Sequence, residues 1–293
     1  MKVATVSVIG RPSSGKSTLV NTICEMKVSI TSPVPQTTRN KIRGIYTDQR
    51  GQLVFIDTPG YHISEKEINK RMQEVTISAL SDSDIILYVL DGTRGAKKEE
   101  ETLVGMIKKA NVPVVCAINK KDILTKNNIE DSEFFLSENF PSSAICLCSA
   151  KDDDGIDELL IEIFKLAKDG EMLYSPEQYT DQDLEFRISE IIREKAMQKL
   201  SDELPHVIFV DVSDLEYNAN KNHVWIRAFI NVERDGQKGF LVGKGGENIK
   251  RIGSEARKEI RRIFPGSSVR LDLQVKTAEK WRTNSIALDK IFK

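Results

Sequence analysis

Residues Gly10 to Ser17 read GRPSSGKS, a match to G-x-x-x-x-G-K-[ST] directly after an apolar run and before the helical pattern STLVNTIC. These residue types at this spacing hold phosphate. Glycines let backbone N–H groups turn toward anionic oxygens, and a following helix N-terminus adds its dipole. Lys16 is placed to reach the β- and γ-phosphates of a nucleotide, and the Ser17 hydroxyl to ligate Mg²⁺. The predicted contacts in this stretch are Gly10, Arg11, Pro12, Ser13, Ser14, Gly15, Lys16, Ser17 and Thr18.

Three further stretches supply the rest of a nucleotide site. DTPG, with Asp57, Thr58, Pro59 and Gly60, ends the run LVFI. An Asp at a strand's carboxyl end faces the ligand crevice of a parallel sheet. Asp57 is expected to bind Mg²⁺ through water, and the Gly60 N–H to meet the γ-phosphate. NKKD ends the run VPVVCAI. Its Asp122 carboxylate can accept from both N1–H and the N2 amino group of guanine, and adenine offers neither. A site built for those hydrogen bonds rejects the mismatched base by roughly 10⁴. Asn119 is expected at the other edge of the base, and the stem of Lys120 along the ring. In SAK, with Ser149, Ala150 and Lys151, the Ala150 N–H is expected to meet guanine O6. Four elements in this order, each at a strand end, describe a guanine-nucleotide-binding domain of the P-loop class, similar to the translation-factor-like GTPases.

Between Lys27 and Arg43 lies a segment without regular pattern, expected to be the first switch, ordered by the γ-phosphate and Mg²⁺. Thr38 is the preferred Mg²⁺ ligand and Thr37 the fallback. The second switch is expected to run from Asp57 through a helix ending near Leu80. Where Ras-like GTPases carry a water-orienting glutamine, this chain has Tyr61, which cannot act in that way. Slow intrinsic hydrolysis follows, with Lys16 and Thr38 as phosphate and metal stabilisers and no assigned catalytic base. His62 reads as an ordinary loop histidine.

A second glycine–lysine stretch, GFLVGKGGENIKRIG, lies between Gly239 and Gly253. Its spacing fails as a phosphate loop: Lys244 is followed by Gly245, so no metal ligand stands there, and no D-x-x-G or N-K-x-D comes after it. It matches instead the G-x-x-G loop of KH domains, Gly243 to Gly246, which clamps about four single-stranded nucleotides. Lys244, Gly245, Lys250 and Arg251 complete the predicted RNA-contact set, in a locally basic stretch of a chain whose net charge is only −1.

The elements that must position these groups follow from periodicity. VATVSVI, LVFID, DIILYVLD, VPVVCAIN and AICLCSA are apolar enough for strands buried on both faces, and helical patterns alternate with them. That is an α/β doubly wound, mostly parallel sheet. Turn formers collect around residues 169–180, and the order then becomes α-β-β-α-α-β, the type II KH arrangement. The expected organisation is a GTPase domain over 1–168, a linker over 169–180 and an α+β KH domain with its C-terminal tail over 181–293. The 293 residues are 40% hydrophobic and 30% charged, and no apolar run approaches the ~18 residues of a membrane span. None of the four cysteines, Cys24, Cys116, Cys146 and Cys148, forms a C-x-x-C pair; reduced core thiols and a reducing cytoplasm are expected.

Taken together, GRPSSGKSTLVN, PQTTRNKI, DTPGYH, NKKD, SAK, VERDGQKGFLVGKGGENIKRIG and VKTAEKWR resemble the Era family of bacterial GTPases over nearly the whole chain. The resemblance implies binding of the 3′ end of small-subunit ribosomal RNA through the KH domain and assistance in maturation of that subunit. It also implies a cytoplasmic protein, in some members with peripheral membrane association, in which nucleotide state governs RNA binding. A monomer is expected. One position departs: Ser13 stands where the family usually carries an asparagine associated with potassium-assisted hydrolysis, which puts K⁺ dependence in doubt. The rival reading is a signalling or membrane-associated GTPase whose C-terminal module binds protein.

Overall fold

The computed structural model describes every residue except 33–36, 62–66, 96–97, 199–206, 219, 221 and 293. The chain divides into two compact units, with the boundary between Asp181 and Gln182.

In the first unit, β1 (Lys2–Ile9), α1 (Lys16–Ile23), β2 (Ile42–Asp48), β3 (Gly51–Asp57), α2 (Glu67–Ser81) and β4 (Ile85–Asp91) come first. Then follow α3 (Lys98–Ala110), β5 (Val114–Asn119), α4 (Lys126–Asn139), β6 (Ala144–Leu147), α5 (Ile156–Leu166) and the two-residue β7 (Lys168–Asp169). The sheet runs β2-β3-β1-β4-β5-β6, with β7 against the start of β1. Strands β3, β1, β4, β5 and β6 are mutually parallel. Every residue of β3 and β4 is buried, as strands covered on both faces require. The helices bury one stripe each: in α5 it is Ile156, Leu159, Leu160, Ile163 and Phe164, at helical spacing. Thr125 starts α4 as a capping box, its hydroxyl accepting from the Asn128 N–H.

Two elements escape the periodicity reading. β2 pairs antiparallel with β3 and begins at Ile42, inside the stretch read as patternless. It is an edge strand with Gly44 in its middle, so its apolar alternation is weak. Residues 169–180 are hydrogen-bonded along the first unit. Buried Gln52 accepts from the Leu173 and Tyr174 N–H groups and donates to the Tyr174 carbonyl, while Thr180 Oγ1 donates to the Arg43 carbonyl. All four cysteines are buried free thiols of this unit.

The second unit contains α6 (Leu184–Met197), β8 (Phe209–Asn218), β9 (His223–Val232), α7 (Asp235–Val242), α8 (Glu247–Ile263), β10 (Ser268–Thr277) and α9 (Ser285–Ile291). Its sheet is β10-β9-β8, with β9 antiparallel to β8 and parallel to β10. Val224, Ile226, Ala228 and Ile230 alternate along β9 onto the core face, against Ile188 and Ile192 of α6 and Ile252, Ala256 and Ile260 of α8. Trp281 closes this core: it is 1% exposed, and its Nε1–H donates to the Val207 carbonyl at 2.9 Å.

Candidate functional site

The loops after β1, β3, β5 and β6 leave the same carboxyl edge of the parallel strands, so four stretches scattered over 140 residues of sequence converge. Gly15, with φ 94°, turns the chain into α1. A Cβ there would lie 2.2 Å from Asn119 Nδ2, so only glycine lets the loop approach β5 this closely. A Cβ on Gly60 would lie 2.6 Å from the Pro12 backbone, so the D-x-x-G stretch also sits close against the phosphate loop.

Lys16 is buried, with its ammonium donating to the Gly10 and Arg11 carbonyls at 3.1 and 2.9 Å. Burial lowers its pKa to about 8, partly offset by the carboxylates of Asp57 and Glu100. The loop thus holds a cation short of counter-charge, which an anionic phosphate would supply.

Ser17 Oγ donates to Asp57 Oδ2 at 2.7 Å and lies 2.9 Å from Thr38 Oγ1, which itself reaches the same carboxylate oxygen at 3.3 Å. The three residues predicted for the metal therefore stand together. Asp57 is fully buried, and burial pushes its carboxyl above the usual carboxylate range although Lys16, Ser17 and Thr38 pull the other way. Its second oxygen, Oδ1, is buried without a hydrogen-bond partner among the described residues. An orphaned carboxylate oxygen flanked by two hydroxyls suits a hard divalent cation such as Mg²⁺. Thr58 hydrogen-bonds the Val8 carbonyl, and the Pro59 carbonyl accepts from Thr76 of α2. The first holds the D-x-x-G stretch to β1 and the second holds it to α2. The Tyr61 N–H donates to the Gly10 carbonyl, while its ring packs on the apolar cluster that includes Tyr88 and Leu90. His62 lies outside the described residues, as does the middle of the first switch segment, 33–36.

At the base-recognition end, Ser149 Oγ donates to Asp122 Oδ1 at 2.8 Å, and Lys151 stands 3.7 Å from its other oxygen. Asn119 is 2% exposed and bridges two loops: its amide donates to the Ser14 carbonyl, and its carbonyl accepts from the Ala150 N–H. The Ala150 N–H expected to face guanine O6 is thus already donated, and a base oxygen there would share it. Lys120 sits at φ 73°, its ammonium on Asp91 Oδ2 at 2.7 Å. Burial disfavours the Asp91 carboxylate, yet hydrogen bonds from Lys120 and Thr93 outweigh it and hold its pKa below the usual range. Asp91 went unread in the sequence. The signal that could have found it is the one that singled out Asp57, an acidic residue ending a buried strand.

In the second unit, α7 ends at Gly243 (φ 73°), and Gly245 and Gly246 follow at φ 60° and 79° before α8 begins. Asn248 Nδ2 donates to the Phe240 carbonyl and closes the loop from behind. Lys244, Lys250 and Arg251 are exposed, and Phe240 beside them is 45% exposed. This is an open cationic loop with backbone accessible to phosphate.

Residues 5–120 match the family described as 50S ribosome-binding GTPase, and residues 203–282 match the KH domain. The chain is 43% identical over 293 residues to GTPase Era of Treponema denticola, covering 99% of both chains. It is 42% identical to GTPase Era of Borreliella afzelii, over 100% of this chain and 99% of that one. Among solved structures it is similar to a variant of Aquifex aeolicus Era bound to GDP·AlF4⁻, at 34% identity and TM-score 0.94 over 99% of this chain and 98% of that one. An Era structure in complex with MgGDPNP and nucleotides 1506–1542 of 16S ribosomal RNA matches to the same extent. With the nucleotide loops of its first unit and the G-x-x-G loop of its second in place, the chain belongs to the Era family of GTPases.

Proposed function

We propose that this GTPase binds the 3′ end of small-subunit ribosomal RNA through Gly243, Lys244, Gly245, Gly246, Lys250 and Arg251, and assists small-subunit maturation in a GTP-dependent way. The observation that carries the reading is the meeting of Ser17, Thr38 and Asp57 beside Lys16, in a chain that also presents an open cationic G-x-x-G loop. In this reading the segments 10–18, 57–60, 119–122 and 149–151 hold GTP. Ser17 and Thr38 would ligate Mg²⁺ directly and Asp57 through water. When bound, the ion neutralises charge on the β- and γ-phosphates.

The chain's own groups do the rest. Backbone N–H groups of the loop and the Lys16 ammonium meet phosphate oxygens, and Asp122, braced by Ser149, selects guanine. Asp91 holds the Lys120 ammonium so that its stem lies along the base. Tyr61, at the position of the water-orienting glutamine, packs on the apolar cluster and has no group to orient a water as a glutamine does. Hydrolysis is therefore slow in the isolated protein and rises when RNA or the ribosomal subunit binds. The functional division is 1–168 for GTP and 181–293 for RNA, with 169–180 as the connecting segment. The protein works as a cytoplasmic monomer, and its membrane association is peripheral where it occurs. Ser13 in place of asparagine argues against K⁺ dependence of turnover.

Single-turnover GTP hydrolysis, with and without an oligonucleotide of the 16S 3′ end and in K⁺ or Na⁺, tests these points. Turnover of many per second without RNA would overturn the slow-rate reading, and a steep rise in K⁺ would overturn the last. Crosslinking in cells followed by sequencing of the attached RNA tests the partner; retention of protein and no RNA would favour the signalling alternative.

A further inference from the structure

Glu100, on the first turn of α3, belongs to no nucleotide-binding motif, yet it is 1% exposed. A carboxylate this deep demands partners. The Tyr88 hydroxyl donates to its Oε2, and Arg11 Nη1 lies 3.5 Å from its Oε1. Arg11 Nε lies 3.2 Å from Oε2 of the neighbouring Glu99. The guanidinium of the second residue of the phosphate loop is therefore clamped between two consecutive carboxylates of α3, and Arg11 is itself buried.

The other end of Arg11 is its carbonyl. It accepts from Lys16 Nζ at 2.9 Å and from the Ser14 N–H at 3.3 Å. Ion pairing at the tip narrows the conformations open to the Arg11 side chain, although Nη1 makes no hydrogen bond among the described residues, and the peptide at its base carries that carbonyl. Arg11 thus links the seat of the Lys16 ammonium to a helix that starts 82 residues after Lys16. A buried ion pair by itself argues little for stability, since apolar side chains of similar volume often do as well. This one spans the loop whose carbonyls hold Lys16.

We propose that Glu100 is a positioning residue for nucleotide binding: through Arg11 it fixes the carbonyl that seats the Lys16 ammonium against the phosphates. The inference rests on residues 10–17 being the phosphate loop, and binding by the unaltered chain tests that separately.

The experiment titrates the full chain, with Mg²⁺, against fluorescently labelled GDP and GTP. Absence of binding by the unaltered protein would sink the phosphate-loop reading itself. Given binding, Glu100→Gln is expected to weaken both nucleotides about tenfold, while kcat at saturating GTP changes by less than about threefold. Should that variant fold poorly, Arg11→Met/Glu100→Met replaces both charges with apolar side chains. It is expected to melt near the unaltered protein and still bind weakly. A folded Glu100→Gln with full affinity, or a double variant that regains affinity together with stability, would mean that the pair only packs, and the proposal would fall.

Discussion

Gly10–Ser17 and Gly243–Gly246 both bend through glycines at positive φ and both carry a lysine, yet their surroundings are opposite. Lys16 is 5% exposed and held by two backbone carbonyls, and a Cβ on Gly15 would strike Asn119. Lys244 is exposed, and a Cβ on Gly245 would meet nothing within 4 Å. The first loop is closed by other loops of its own unit and suits a small ligand it can surround. The second is open on its outer side and suits a polymer that runs past it. Burial therefore separates two glycine–lysine loops that look alike as strings.

Five substitutions sharpen or break that contrast. Asp122→Asn should reduce GTP affinity by roughly 10⁴ and gain xanthosine nucleotides, read by competitive displacement of labelled GDP. Unchanged GTP affinity would refute the base pocket. Gly246→Asp puts bulk and negative charge where RNA phosphate would pass, at a φ of 79° and ψ of 17° that Asp tolerates. RNA affinity should fall about a hundredfold with GDP binding intact. Gly243, at φ 73° and ψ 173°, occupies a region open almost only to glycine, so Gly243→Asp should strain the loop as well. Equal loss of both ligands in either variant would indicate unfolding instead.

Lys244→Ala removes one phosphate contact from the open loop, and the slope of log affinity against log salt should shrink by about 0.7. No change in slope would place RNA elsewhere. The smallest effect belongs to the closed loop. Ser14 Oγ is buried without a hydrogen-bond partner among the described residues. Ser14→Ala should therefore raise stability by about 1 kcal/mol in denaturant unfolding, and a loss of stability would reveal a partner for the hydroxyl.

The sequence was most readable where chemistry dictates residue type at fixed spacing. GRPSSGKS, DTPG, NKKD and SAK each end a buried strand, and parallel topology alone brings strand ends to one edge. Thr38, expected as a Mg²⁺ ligand, has its hydroxyl on Ser17 and Asp57. What stayed hidden depends on contacts between distant segments. Asn119 read as a base contact, and its bridge to Ser14, 105 residues away, has no local pattern. Glu100 sits in KKEEET, which reads as a solvated helix start until the fold buries one of its three glutamates. β2 was obscured by being an edge strand with a glycine in it, and α9 lies beyond the family-like VKTAEKWR, where the N-cap Asn284 was its one sequence signal.

The buried thiols have a practical side. Burial pushes Cys24, Cys116 and Cys148 up to about 12 and Cys146 up to about 11, against an ordinary thiol near 8.5. Thiolate is therefore scarce at neutral pH, and each sulfur is shielded as well. A single cysteine introduced on an exposed position of the second unit would be the one group to take a maleimide dye in the folded protein. The native chain already serves as its own unreactive background for labelling.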